Sequence, residues 1–296
     1  METVDSINGL TKVFAVIGDP IEHTFSPVIH NTMAKMQNTD LVYTAFRVKT
    51  EGLEKAIVGA YELGIGGLNV TVPHKKAIMP YLCGLDKTAE AVGAVNTIKY
   101  TEKGYVGYNT DMIGVYYALL GNHVTVENKI VLVLGAGGAA NACVAMAAAK
   151  GASKVYIANR TLEKANQLSE HIKKYYTVDI TALEIKDIGL IEKCDIILNA
   201  TTLGFGDNID KTPVEDINFY KAKKVETVFD AIYSPWETRL LKEAASQGVK
   251  TINGFDMLIY QAVAAREIWY DEKLDDTFRE QLRSSLTKYY LGSCTK

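Results

Sequence analysis

The sequence predicts an α/β fold in two domains, on three observations. Apolar runs closed by turn residues alternate with helical periodicity almost from end to end, the pattern of βαβ units and mainly parallel sheets. That pattern restarts at Lys129 with a wholly apolar run. The chain's 296 residues are about twice the size of one compact domain.

The first half reads in order. Val13–Ile17 is a short strand closed by Gly18-Asp19-Pro20. Ser26-Pro27 opens a helix with Val28, Ile29, Met33 and Met36 on one face, Ser26 fitting an N-cap and Pro27 a first helical residue. Leu41–Val48 is a strand, Leu53–Leu63 a helix and Gly67–Val72 a strand; Ala94–Tyr100 and Tyr105–Tyr108 are β-like pieces around Glu102-Lys103-Gly104. In the second half Ile130–Leu134 has the continuous apolar character of a strand buried on both faces. An alanine-rich helix follows and ends before Gly151, a good helix-terminating residue. Val155–Ala158, Ile196–Leu198 and Val225–Phe229 are further central strands, Trp236–Gln247 a helix, and Phe255–Leu291 two helices broken near Asp271–Asp276. The expected division is residues 1–111 with 255–296 as one domain and 112–254 as the other, the C-terminal helices packing back on the first.

Composition excludes several classes. Thirty-two basic against 35 acidic residues leave a net charge of −3, which argues against a nucleic-acid binder working by bulk electrostatics. The longest apolar run, Ala142–Ala149, is far short of the ~20 residues that cross a bilayer. Met1–Asn8 carries two acidic residues and no apolar core, so no secretory leader is expected. Cys83, Cys143, Cys194 and Cys294 share no paired spacing and read as reduced thiols of a cytoplasmic protein. A monomer or homodimer is expected, and the sequence does not choose between them. The five histidines offer no ligand spacing, and no metal is expected.

Gly135-Ala136-Gly137-Gly138-Ala139-Ala140 follows a buried strand and opens a helix, the context that makes a GxGxx(G/A) string a dinucleotide loop. Gly135 permits the tight turn, Gly137 lets backbone approach a pyrophosphate, and Ala140 still allows close helix–strand packing. After the next strand, where NAD enzymes place an acidic residue, stand Asn159-Arg160-Thr161 and then Lys164. A carboxylate there would repel a 2′-phosphate and a guanidinium would grip it, so the expected cofactor is NADP in a Rossmann domain.

Three polar clusters fall at strand ends of the first domain, where open α/β sheets bind ligands. His23-Thr24-Phe25-Ser26-Pro27 sets two hydroxyls beside a helix start, suited to a small carboxylate or to plain capping. Asn69-Val70-Thr71-Val72-Pro73-His74-Lys75 ends in a lysine that is either functional or merely solvated. Gly93-Ala94-Val95-Asn96-Thr97 precedes Tyr108-Asn109-Thr110-Asp111, residues that serve ligands and turns alike.

Together these strings resemble the shikimate dehydrogenase family over nearly the whole chain: GDPIEHTFSP, GLNVTVPHK, GAVNT, NTD, GAGGAA, NRT, NATTLG, FDAIY and MLIYQA occur in family order. The resemblance implies reversible NADP-dependent reduction of 3-dehydroshikimate to shikimate, on the route to chorismate and the aromatic amino acids. By the same resemblance Thr24 and Ser26 bind the carboxylate with Tyr233 on that side, and Asn96, Thr71 and Gln261 bind ring hydroxyls. Lys75 and Asp111 form the catalytic pair. Gly135, Ala136, Gly137, Gly138 and Ala139, with Asn159, Arg160, Thr161, Lys164, Thr201, Ala231 and Gly254, hold the cofactor. Thr24 replaces the family's usual serine, Met112 a frequent glycine, and Ala231 a larger apolar residue. These changes keep the reaction class and leave quinate, one hydroxyl richer, as the alternative second substrate.

Overall fold

The computed structural model describes residues 7–294, so most of the leader reading at Met1–Asn8 and the side chain of Cys294 lie outside the described residues. The first half runs β1 (Lys12–Gly18), α1 (Ser26–Met36), β2 (Leu41–Arg47), α2 (Leu53–Glu62), β3 (Gly67–Val70), α3 (His74–Ala77), β4 (Gly84–Leu85), α4 (Lys87–Val92), β5 (Thr97–Thr101) and β6 (Gly104–Tyr108). It continues through α5 (Asp111–Gly121), β7 (Ile130–Leu134), α6 (Gly138–Ala149), β8 (Lys154–Asn159), α7 (Leu162–Lys173), β9 (Asp179–Glu184) and β10 (Ile196–Asn199). The chain closes with α8 (Phe219–Ala222), β11 (Thr227–Asp230), α9 (Arg239–Ser246), β12 (Lys250–Ile252), α10 (Phe255–Tyr270) and α11 (Asp276–Cys294).

Two compact units result: the described residues of 1–90, 94–110 and 262–296, and residues 91–93 with 111–261. Residues 91–93, Asp111 and 255–261 therefore group with the second unit, where the division expected from sequence put them with the first. The reason is close packing of α10 on α5, where a Cβ at Gly114 would stand 2.8 Å from the Met257 carbonyl oxygen and 3.0 Å from the Gln261 Cβ.

The sheet of the first unit has the order β2-β1-β3-β5-β6-β4. Strands β1, β2 and β3 pair in parallel, while β5 is antiparallel to both β3 and β6. The alternating side chains of β1 serve two cores. Ala15 and Ile17 face Leu53 and Ile57 of α2, while Phe14 and Val16 face Tyr43, Ala265 and Trp269. The end of α10 is fixed there by the Trp269 indole N–H, which donates to the Ile98 carbonyl at 3.0 Å. Residues 262–270 of α10 and helix α11 belong to this unit, Tyr290 of α11 meeting Phe25 edge-on at 5.4 Å.

The second sheet is wholly parallel in the order β12-β11-β10-β7-β8-β9, the doubly wound arrangement in which a dinucleotide sits where strand order reverses, at β7. Leu132, Leu134, Ile197 and Val228 share a core with Leu240, Leu241 and Ala244 of α9.

Local differences from the sequence reading have local causes. Ser26 is the first residue of α1 and Phe25, which has no side-chain acceptor, its cap, so the helix has no side-chain cap, and the Ser26 hydroxyl accepts from Thr24 Oγ1 instead. The buried face of that helix is Ile29, His30, Met33 and Ala34, with Met36 exposed. Helix α9 starts at Arg239, later than Trp236, because Thr238 Oγ1 accepts from Leu241 N and caps it there. Edge strands β9 and β12 carry too few buried residues to announce themselves by apolar runs.

Candidate active site

The first unit supplies a hydroxyl pair and a hydrogen-bonded polar row. Thr24 and Ser26 hydroxyls lie 3.2 Å apart, Thr24 donating. Beneath them the Tyr43 hydroxyl donates to Asn69 Oδ1 at 2.7 Å; burial raises the Tyr43 pKa, opposed by a hydrogen bond with Ser26. Asn69 Nδ2 donates to Thr97 Oγ1 at 3.0 Å, and Thr97 Oγ1 to Asn96 Oδ1 at 3.1 Å. Asn96 Oδ1 also accepts from Thr110 N at 2.7 Å, and its Nδ2 donates to Thr110 Oγ1 at 3.0 Å. These buried groups satisfy one another, which fixes their rotamers. The pair and the row hold three residues expected from sequence (Thr24, Ser26, Asn96) and add Tyr43, Asn69, Thr97 and Thr110, to which no role had been assigned. Asn69 and Thr110 lie inside the GLNVTVPHK and NTD strings, so the signal was present but carried no geometry.

Lys75 is the second residue of α3, half-buried, and its carbonyl accepts from Val95 N at 2.8 Å. That bond ties the lysine turn to the segment that carries Asn96. Its neighbour His74 is fully buried, Nε2 lying 2.6 Å from the Val48 carbonyl. Thr71 is half-buried at the end of β3; its N–H donates to Ile17 O at 2.9 Å and its carbonyl accepts from His74 N at 2.9 Å.

The nucleotide loop lies in the second unit. Gly135 has φ +109°, and a Cβ there would press on the Ala200 carbonyl oxygen at 3.0 Å, so this turn requires glycine. Gly137 is extended and caps α6, facing open space where a Cβ would stand. Ala136, Gly138 and Ala139 complete the turn into α6, whose first turn holds no acidic residue. Asn159 ends β8 and its Nδ2 donates to the Thr161 carbonyl at 2.9 Å. Arg160, Thr161 and Lys164 are exposed, and neither cation has an ion-pair partner among the described residues. Open space at Gly137 together with these uncommitted cations fits a phosphorylated dinucleotide.

Thr201, Ala231, Tyr233 and Gly254 occupy the loops after β10, β11 and β12, all half-buried except Gly254, which is buried. Asp111 begins α5 and is buried; its charge adds to the burial that pushes the Cys143 thiol up to about 12. Gln261 is buried on α10, with Nε2 donating to Leu258 O at 2.8 Å.

One unit built to receive a dinucleotide and another lined with fixed hydroxyls and amides beside a lysine divide the work as an oxidoreductase of hydroxylated substrates does. Family models agree on the kind: residues 16–98 match "Shikimate dehydrogenase substrate binding domain" and residues 120–230 match "Shikimate / quinate 5-dehydrogenase". The chain belongs to the shikimate dehydrogenase family. It is 46% identical over 266 residues (89% of this chain, 93% of the relative) to shikimate dehydrogenase (NADP(+)) of Methanocaldococcus jannaschii. The shikimate 5-dehydrogenase of Listeria monocytogenes, solved with shikimate and NAD, superposes with a TM-score of 0.87 at 30% identity, covering 97% of this chain and 100% of that one. The enzyme of Thermus thermophilus, solved with NADP(H) and shikimate, superposes at 0.80 with 27% identity, over 93% and 99% of the two chains.

Proposed function

We propose that this chain is an NADP-dependent shikimate dehydrogenase, interconverting 3-dehydroshikimate and shikimate on the route to chorismate and the aromatic amino acids. The observation that carries the reading is that one unit holds both the Thr24–Ser26 hydroxyl pair and the hydrogen-bonded row from Tyr43 through Asn69 and Thr97 to Asn96. It presets, on one rigid unit, donors for a carboxylate at one end and for ring hydroxyls at the other, as a compact hydroxylated acid needs.

Bound NADPH supplies the hydride and NADP accepts it in reverse. Gly135–Ala139 would hold its pyrophosphate, Asn159, Arg160, Thr161 and Lys164 its ribose 2′-phosphate, and Thr201, Ala231 and Gly254 its nicotinamide side. Thr24 and Ser26 with Tyr233 take the substrate carboxylate, and Thr71, Asn96 and Gln261 the ring hydroxyls. Lys75 delivers a proton to the carbonyl oxygen as negative charge builds there, and recovers it in oxidation, with Asp111 as the other member of the catalytic pair. The chain works on a small molecule, with no nucleic acid or membrane partner; no helix among the described residues is long and apolar enough to cross a membrane. Cys83, Cys143 and Cys194 are unpaired, which supports a reducing, cytoplasmic setting.

The test is NADPH formation from shikimate by the purified protein. Lys75→Ala should lower turnover by about 10²-fold or more, the usual loss for an acid/base group, with NADP affinity kept. Near-normal turnover of that variant refutes the assignment, and absence of shikimate-dependent NADPH formation by the wild type refutes the function.

A further inference from the structure

Asp230 ends β11, is fully buried and has no place in the chemistry above, yet three loops close around it. Its Oδ1 accepts from Asn199 Nδ2 at 2.9 Å and from Ile232 N at 3.1 Å, and its Oδ2 accepts from Thr238 Oγ1 at 2.7 Å. Asn199 passes the constraint on: its Oδ1 accepts from Thr201 N at 3.1 Å and from Thr201 Oγ1 at 2.8 Å. Thr238, held by the other carboxylate oxygen, packs its Cβ and Cγ2 under Gly204, at 3.2 Å from where a Cβ there would stand. The third loop joins through the backbone, Gly254 N donating to Ile232 O at 3.0 Å. The loops of Thr201, Ala231–Tyr233 and Gly254 thus share one buried anchor, although they follow three different strands.

We propose that the Asp230–Asn199 pair is the positioning centre of the nicotinamide side, setting the loops that carry Thr201, Ala231 and Gly254 without itself touching cofactor. This rests on the NADP dehydrogenase reading. The network needs acceptors in a fixed fork more than it needs charge. Burial pushes the Asp230 carboxyl up to about 6, so the site bears the cost of a desolvated anion, and three donors hold its oxygens where they are. An asparagine in the same place keeps the acceptor for Asn199 and Ile232 N, and its amide donates to Thr238 Oγ1 in place of the present bond.

The Thr201 loop meets the glycine turn at Gly135, but Arg160 follows β8 on a loop that makes none of these bonds, so binding at the 2′-phosphate end is read apart from the anchor. Three variants in the full chain test this: Asp230→Ala, Asp230→Asn and Thr238→Val. Calorimetry measures affinity for NADP and, separately, for 2′,5′-ADP, which has the phosphorylated adenosine half and no nicotinamide. Asp230→Ala and Thr238→Val should each weaken NADP and lower kcat by about tenfold or more, the scale of a loop misplaced by a fraction of an ångström. Binding of 2′,5′-ADP should stay within about twofold, and Asp230→Asn should restore most of the loss. If Asp230→Ala does not fold, the single hydroxyl lost in Thr238→Val carries the same comparison. Unchanged NADP affinity and kcat in Thr238→Val overturn the proposal. A parallel fall in 2′,5′-ADP affinity overturns it too, since the role would then be general support of the unit. The two affinities need no substrate, so a wild type inactive on shikimate would sink the substrate reading and leave this comparison decisive.

Discussion

Acid should loosen the first unit through one residue, His30. Its ring stacks on Tyr43 with centroids 4.1 Å apart and planes 10° from parallel, and it is 2% exposed. Its Nε2 has no hydrogen-bond partner among the described residues. Burial drives its pKa down from 6.5 to about 3, opposed by a hydrogen bond with Asn69 and helped by the Arg266 charge. The folded state therefore refuses a proton that the unfolded state accepts. The stability His30 allows is complete above pH ~6.5 and declines as pH falls toward about 3. Between pH 7 and 5 the two values imply a loss of about 2 kcal/mol, at ~1.36 kcal/mol per pH unit once the unfolded state is protonated. His30→Phe keeps a flat ring against Tyr43 and removes the titration. Asp230, raised to about 6, works in the opposite direction but is common to both proteins and cancels in the comparison. Trp269 lies 5.2 Å from His30 and the chain has two tryptophans, so a Trp236→Phe background gives a fluorescence reporter confined to this unit. Denaturant unfolding at pH 7 and pH 5 should show the phenylalanine variant losing about 2 kcal/mol less than its parent. Equal losses would refute the argument.

Two further outcomes follow from the second unit. Arg160→Ala should raise KM for NADP far more than for NAD, because an exposed guanidinium with no ion-pair partner among the described residues is available to the 2′-phosphate; equal effects on both cofactors would remove that role. At Gly254 a Cβ would stand 2.2 Å from the Ala231 carbonyl oxygen and 2.5 Å from its carbonyl carbon. Gly254→Ala must therefore push two backbones apart, costing about 1–3 kcal/mol, and should lower both Tm and NADP affinity; an unshifted melting curve would show that the loops yield freely.

Much of this enzyme was legible because its signals are local. The run Ile130–Leu134 followed by Gly135-Ala136-Gly137 announces a buried strand and a phosphate turn within ten residues. Asn159-Arg160-Thr161 sits where strand length alone puts it. Ser26 misled because a serine before a proline reads as a cap in any sequence. Only the neighbouring Thr24 hydroxyl, which donates to it, shows that it stands inside the first turn. Asn69 and Asp230 could be seen as members of family-like strings but not given work, since their partners lie 26 and more residues away in Tyr43, Thr97 and Asn199.

By itself the sequence determined the central strands and longer helices, the dinucleotide turn, the cations that favour a 2′-phosphate and the family, because hydrophobic period, glycine freedom and charge act over a few residues. Tertiary structure alone decided which polar side chains satisfy one another: the row from Tyr43 through Asn69 and Thr97 to Asn96, and the anchor at Asp230. A buried hydrogen bond is a bargain between groups that the fold, not the chain, makes neighbours, and its energy depends on both being dry and within ~3 Å.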